Sequence, residues 1–318
     1  MLVPPFLRLA VFCLMGLLLV TVFCVLTLSF PSLEPPRPSM WNPREITLTI
    51  QAGGRLGNRM FEFASLIGIG RSNGVSVVIP TRLNLLDSIF DMTQCQIPTM
   101  NSSSRKDFYR LITPHGTKVY DARFENIRQH FFHSKMIIMG YMQSYRYFQE
   151  HEDFIRSCFQ FKKVYKERVD HFFKTQIPEN RTVIGIHVRR GDKLDRWHEL
   201  FSNRSILSVS YFHKAMNLMQ MKYPNAFFVV ASNDMEWAKA NLADRAIMSP
   251  FNSSSFVYDF ALLANCQHSI ISIGTFGWWT AWLANGTTIY FNNYPREGEI
   301  EGFIPSDYYY KDWIPLGD

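Results

Sequence analysis

The twelve residues Thr182-Val-Ile-Gly-Ile-His-Val-Arg-Arg-Gly-Asp-Lys193 constrain the fold more than any other stretch. Val183 to Ile186 is an unbroken, largely β-branched apolar run, which suits a strand buried on both faces, as in a parallel sheet. The character then changes abruptly to His187, Arg189, Arg190 and Asp192, with Gly191 permitting a sharp turn. Open α/β sheets bind ligands beyond the carboxyl ends of their strands. Adjacent arginines there suit an anionic ligand with a diphosphate, because a guanidinium meets phosphate oxygens bidentately and keeps its charge. Asp192 would orient the arginine pair or the loop. A plainer alternative is an Arg–Asp pair capping a strand. An adhesive Arg190-Gly191-Asp192 tripeptide would need an exposed loop tip.

The remaining chain alternates in the βα manner of a doubly wound fold. Ile46–Gln51 reads as a strand, followed by the glycine-rich turn Ala52-Gly-Gly-Arg-Leu-Gly-Asn58, an apolar helix from Met60, and a strand at Val75–Ile79. Arg55 and Asn58 offer donors to a ligand from that turn. Residues 95–134 are poorly patterned, and His130 and His133, though spaced like metal ligands, have no Cys or carboxylate in register. A strand at Lys135–Gly140 and one long helix at Phe154–Phe173 follow, with a boundary near Ile177-Pro178. In the second half, strands are expected at Phe227–Ala231, Ser269–Ile273 and Thr288–Phe291, and helices at Tyr211–Met221, Asp234–Leu242, Val257–Asn265 and Trp278–Leu283.

Gly274-Thr275-Phe276-Gly277 joins a buried strand to a helix start, where free N–H groups and the helix dipole favour an anion. Such turns are also common packing elements. Together with Arg189 and Arg190 at a neighbouring strand end, this one reads as the other side of a diphosphate site. Asp259, in an otherwise apolar helix, can pair with the N1–H and N2–H₂ edge of guanine or simply face the helix dipole. No two aspartates stand two residues apart, so the Asp-x-Asp metal clamp is missing and charge on a leaving diphosphate falls to arginine and backbone N–H groups.

His187-Val-Arg-Arg-Gly-Asp192 after a hydrophobic strand resembles the signature shared by α1,2-, α1,6- and O-fucosyltransferases. With Gly54-Arg-Leu-Gly-Asn58 and the segments Asp259–Leu263 and Ile273–Gly277, the likeness is to the galactoside α1,2-fucosyltransferase family, in order from about Ile46 to Tyr294. The resemblance implies an α/β, GT-B-like fold of two Rossmann-like domains, 46–180 on the acceptor side and 181–318 binding GDP-fucose. It implies inverting transfer of L-fucose from GDP-β-L-fucose to O2 of a terminal β-galactose; the missing clamp leads to the expectation of neither cofactor nor metal. Arg189, Asp192 and Asn58 would be catalytic. The donor site would comprise His187, Arg189, Arg190, Asn233, Asp259, Gly274, Thr275, Phe276 and Gly277, with Asp259 on guanine, His187 beside base and ribose, and Arg189 on the β-phosphate. Asp192 and Glu199 lie near the arginines in sequence, though neither is a clean general base. Two residues depart from the family pattern. Arg59 stands where Gln is common, and Lys193 where Tyr is common, which touches acceptor choice more than donor handling. A protein O-fucosyltransferase and a catalytically inert, membrane-anchored glycan-binding protein are the alternatives.

Leu9 to Phe30 contains no charged residue and is long enough to cross a bilayer, with Arg8 on its N-terminal side. The expected topology is a cytosolic tail (1–8), a signal-anchor (9–30), a Pro-rich stem (31–45) and a lumenal body in the Golgi. A cleaved signal peptide competes, but the run is long for one and no Ala-x-Ala site follows it. Five Asn-x-Ser/Thr sites, at Asn101, Asn180, Asn203, Asn252 and Asn285, agree with a lumenal body. Of Cys95, Cys158 and Cys266, one pair can form a disulfide. The net charge of +6 suits an acidic small substrate, and no block of like charges points to nucleic acid.

Overall fold

The computed structural model describes residues 46–112, 117–190, 207–251, 256–295 and 298–318. The expected tail, anchor and stem lie outside the described residues, as do Gly191, Asp192, Lys193, Glu199, Asn203 and Asn252. Among the described residues no helix is long and apolar enough to cross a membrane.

Two parallel sheets carry the fold. The strands are β1 (Thr47–Ile50), β2 (Ser76–Val77), β3 (Ile79–Pro80), β4 (Thr99–Met100), β5 (Tyr109–Ile112), β6 (Lys135–Met139), β7 (Thr182–Val188), β8 (Ala226–Ser232), β9 (Ala246–Met248), β10 (His268–Ile271), β11 (Thr288–Phe291) and β12 (Ile314–Leu316). The first sheet has the order β2-β1-β6-β5 and the second β12-β11-β10-β7-β8-β9, while β3 and β4 form a separate pair. The longer helices are α1 (Leu56–Asn73), α2 (Glu152–Cys158), α3 (Lys163–Gln176), α4 (Val209–Lys222), α5 (Met235–Leu242), α6 (Phe256–Ala264) and α7 (Thr275–Ala284).

The strand order fixes where a ligand can sit. From β7 the chain winds outward through β8 and β9, then returns to β10 on β7's other side and winds out through β11 and β12. The gap beyond the carboxyl ends of β7 and β10 is therefore the switch point, where the strand order reverses and open sheets leave a crevice. The first sheet has its own switch between β1 and β6. Because β7 is central, its residues Val183–Val188 are all buried, which explains why its sequence is continuously apolar and not alternating.

One core spans both sheets. Leu48, Ile50 and Met136 from the first share it with Val183, Val229 and Ile271 from the second. α1 and α7 meet through aromatic side chains, with Phe61 4.6 Å from Trp278 and 5.0 Å from Trp279 between ring centroids. A second core, including Ile184, Ile186, Phe212 and Met216, packs under α4 on the opposite face of the six-stranded sheet. The C-terminal segment returns to the first half, where Ser144 Oγ donates to the Asp307 carbonyl and Arg146 pairs with Asp307 at 3.0 Å.

Several expectations need correcting. The expected long helix at Phe154–Phe173 is two helices, α2 and α3. The break falls where Phe159 and Phe161 turn into the core just after Cys158, which is disulfide-bonded to Cys95. Val75–Ile79 is divided between two sheets as β2 and β3. The poorly patterned region contributes the exposed edge strand β5. Cys266 is buried as a free thiol.

Candidate active site

The switch-point cleft has a volume of about 600 Å³. Its walls come from both sheets: Gly54, Arg55, Leu56, Gly57 and Arg59 at the start of α1, Leu85 beside them, and His187, Arg189, Ala231, Ser232, Asn233, Phe256, Asp259, Thr275 and Phe276 opposite. Among the described lining residues, three arginines stand with one carboxylate, a set that suits a polyanionic ligand.

His187 is the sixth residue of β7 and is buried at 6% exposure. Burial, reinforced by the nearby Arg189 charge, pushes its pKa down to about 3, so the imidazole is neutral at any working pH. Its Nδ1 lies 3.2 Å from Ser272 Oγ, and its ring stacks on Phe276 at 5.2 Å. Ser272 Oγ also accepts the Arg189 backbone N–H at 3.0 Å. Ser272, which the sequence reading passed over, therefore fixes both residues. Gly277 makes the stacking possible, since a Cβ there would stand 2.5 Å from His187 Nδ1.

Gly274 is the N-cap of α7 with φ +97°, a conformation that favours glycine. A Cβ there would meet the Arg189 side chain at 3.4–3.5 Å, so the glycine also makes room for the guanidinium. Asp259 is buried on α6 and accepts a short hydrogen bond from Ser249 Oγ. Desolvation raises its pKa to about 7 against that bond.

Asn58 stands behind the wall as a link between the two halves. Its Oδ1 accepts from Thr275 Oγ1 and from Gln143 Nε2, each at 3.0 Å. That oxygen is thus engaged from both sides, which suits a positioning role better than proton abstraction.

Arg190 takes another direction. Its guanidinium lies over Trp237 at 4.1 Å, donates to the Leu207 carbonyl at 2.9 Å and pairs with Asp234 at 3.6 Å. Its backbone N–H donates to Asn233 Oδ1 at 2.9 Å, which orients Asn233 within the cleft. Arg190 thus supports Asn233 from outside the cleft lining. Of the expected donor residues, the cleft brings together His187, Arg189, Asn233, Asp259, Thr275 and Phe276, with Gly274 and Gly277 shaping it.

The site defines a class: an α/β protein with an arginine-lined cleft between two parallel sheets. The family model for glycosyl transferase family 11 matches residues 11–316, and the chain belongs to that family. It is 30% identical over 307 residues to the galactoside alpha-(1,2)-fucosyltransferase 2 of Bos taurus, covering 91% of this chain and 83% of that protein. It is 31% identical over 282 residues to the Rattus norvegicus protein of the same name, covering 84% and 76%. The fold is shared with the NodZ alpha-1,6-fucosyltransferase solved after soaking with GDP-fucose. That match has a TM-score of 0.50 and 16% identity, over 78% of this chain and 95% of that one.

Proposed function

We propose that the chain is an inverting galactoside 2-α-L-fucosyltransferase, moving L-fucose from GDP-β-L-fucose to O2 of a terminal β-galactose on glycoprotein or glycolipid glycans. The observation that carries this reading is the convergence of Arg189 and the α7 start on the switch-point cleft. The relatives' names supply the sugar and the linkage. The two sheets are read as GT-B-like halves, the first on the acceptor side and the second holding the nucleotide. As the galactose O2 hydroxyl attacks C1 of fucose and releases its proton to solvent, the bond from C1 to the β-phosphate oxygen breaks and negative charge grows on GDP. Arg189 and the N–H groups of the α7 start face that charge. The direct test is incubation of the full chain with GDP-fucose and an acceptor panel, with linkage analysis. An Fucα1-2Gal product is expected. Fucosylated protein hydroxyls alone, or no turnover, would refute the assignment.

Guanine would pair through its N1–H and N2–H₂ with ionised Asp259. Because its pKa is raised to about 7, the carboxyl must lose a proton to bind below that pH. GDP-fucose affinity should therefore rise with pH up to about 7, changing roughly tenfold per unit well below it. Calorimetric titration from pH 5.5 upward checks this, and Asp259→Asn should flatten that limb.

Transfer is read as metal-independent, since the sequence lacks the Asp-x-Asp clamp. Turnover is expected to persist in excess EDTA. Complete loss on chelation, restored by manganese, would refute the electrostatic account. The Leu9–Phe30 run is read as an uncleaved type II anchor placing the cleft in the Golgi lumen.

A further inference from the structure

Glu62 is the carboxylate that no role above accounts for. It lies four residues after Asn58 on α1, so it shares a helix face with it. It is fully buried. The Gly53 N–H donates to its Oε1 at 2.9 Å and to its Oε2 at 3.1 Å. Three residues earlier, Arg59 Nε donates to the Gly54 carbonyl at 3.2 Å. Two neighbouring α1 side chains thus grip consecutive residues of the turn whose Gly54 and Arg55 line the cleft. Arg59 itself stands on that wall.

Resting on the GDP-fucose reading, we propose that Glu62 and Arg59 act as one unit: Glu62 fixes the Gly53–Gly54 turn from beneath, and Arg59 is the cation this wall turns toward the donor diphosphate. Glu62 is a positioning residue, while Arg59 touches the donor. This reassigns Arg59 from acceptor choice to donor handling.

The surroundings of Glu62 support the pairing. The Gly53 N–H faces it from the turn after β1, and Arg59 from its own helix. Across the turn the Tyr141 ring packs on Gly53, where a Cβ would meet it at 3.4 Å. Burial dominates and raises the Glu62 pKa to about 8, against the Gly53 hydrogen bond and the Arg59 charge. Below that pH the carboxyl is neutral and adds no negative charge beside Arg59. Above it, a carboxylate beside Arg59 competes with the phosphates. Donor affinity should then fall as pH rises through about 8. This is the mirror image of the Asp259 limb.

The experiment measures GDP-fucose affinity and KM for both substrates, from pH 5.5 to 8.8, in the full-length protein. Arg59→Gln should weaken GDP-fucose binding about tenfold, the scale of one charge-assisted contact, with acceptor KM unmoved. Glu62→Gln, scaled to its own affinity at pH 6.5, should lose the alkaline limb and retain the acid one. Arg59→Gln should lose the alkaline limb too. Unchanged donor affinity with altered acceptor KM in Arg59→Gln would overturn the proposal. So would a Glu62→Gln profile that tracks the wild type above pH 8. If wild type neither binds GDP-fucose nor transfers fucose, the functional reading itself has failed, which is a distinct result.

Discussion

Arg189→Lys is expected to lower kcat by roughly 10²–10³ while changing GDP affinity far less. Lysine keeps the charge but replaces a planar, two-pronged donor with a single point. The lost contact strengthens only as charge develops on the departing diphosphate, so it belongs to the transition state. Removing one preorganised donor of this kind costs about 2.7–4 kcal/mol. Arg189 is anchored through its backbone N–H to Ser272, a contact that lysine keeps, so the substitution acts through the side chain. Steady-state kinetics, calorimetry with GDP and a melting curve together decide the matter. A folded Arg189→Lys protein with near-normal kcat would mean that the diphosphate is gripped elsewhere. Arg190 would not be the place to look, since it is committed to Trp237, Leu207 and Asp234 on the other face. Arg55 and Arg59 on the opposite wall would come first.

The strand-end and helix-start features of the cleft were legible because they are local. An apolar strand ending in His187 and Arg189, and a Gly-Thr helix start, are short patterns whose geometry follows from strand and helix rules. What escaped was long-range. Ser249 and Ser272 are ordinary serines until the fold sets them against Asp259 and His187. Gln143 stands 85 residues from Asn58 in sequence, yet donates to it. The direction of the Arg190 side chain, onto Trp237, was not legible because composition at a strand end does not say where each side chain turns. Glu62 did leave a trace, as the one acidic residue in the apolar run Met60–Gly68. A buried carboxyl in such a run signals a specific partner, though not that the partner is the Gly53 N–H. In the fold, the missed strands β5, β9 and β12 are short sheet members of three or four residues. They are too short for periodicity to show, and their pairing with longer strands defines them.

Gly57→Ala should produce the other large effect, and it tests the contact that sequence could not reveal. Gly57 sits in the first turn of α1, directly against the first residue of α7. A Cβ added there would stand 2.6 Å from Thr275 Oγ1 and 2.7 Å from both its carbonyl carbon and oxygen. A flexible side chain could swing aside, but the backbone of a helix packed through Trp278 and Trp279 cannot. The two helix starts must therefore separate, which stretches the Asn58–Thr275 hydrogen bond and shifts both walls of the cleft. Overpacking of this sort costs about 1–3 kcal/mol of stability. A misplacement on the order of 1 Å at reacting groups costs roughly 10² in kcat. Gly74→Ala is the control. It ends the same helix at φ +56° with nothing within 4 Å of its would-be Cβ. It should lose about 1 kcal/mol of stability from the left-handed backbone alone and leave kcat intact. Melting temperatures compared with kcat for the two variants separate a fault at the site from a general loss of stability. If Gly57→Ala behaves like Gly74→Ala, the two helix starts do not have to touch for catalysis, and the cleft is less rigid than this contact requires.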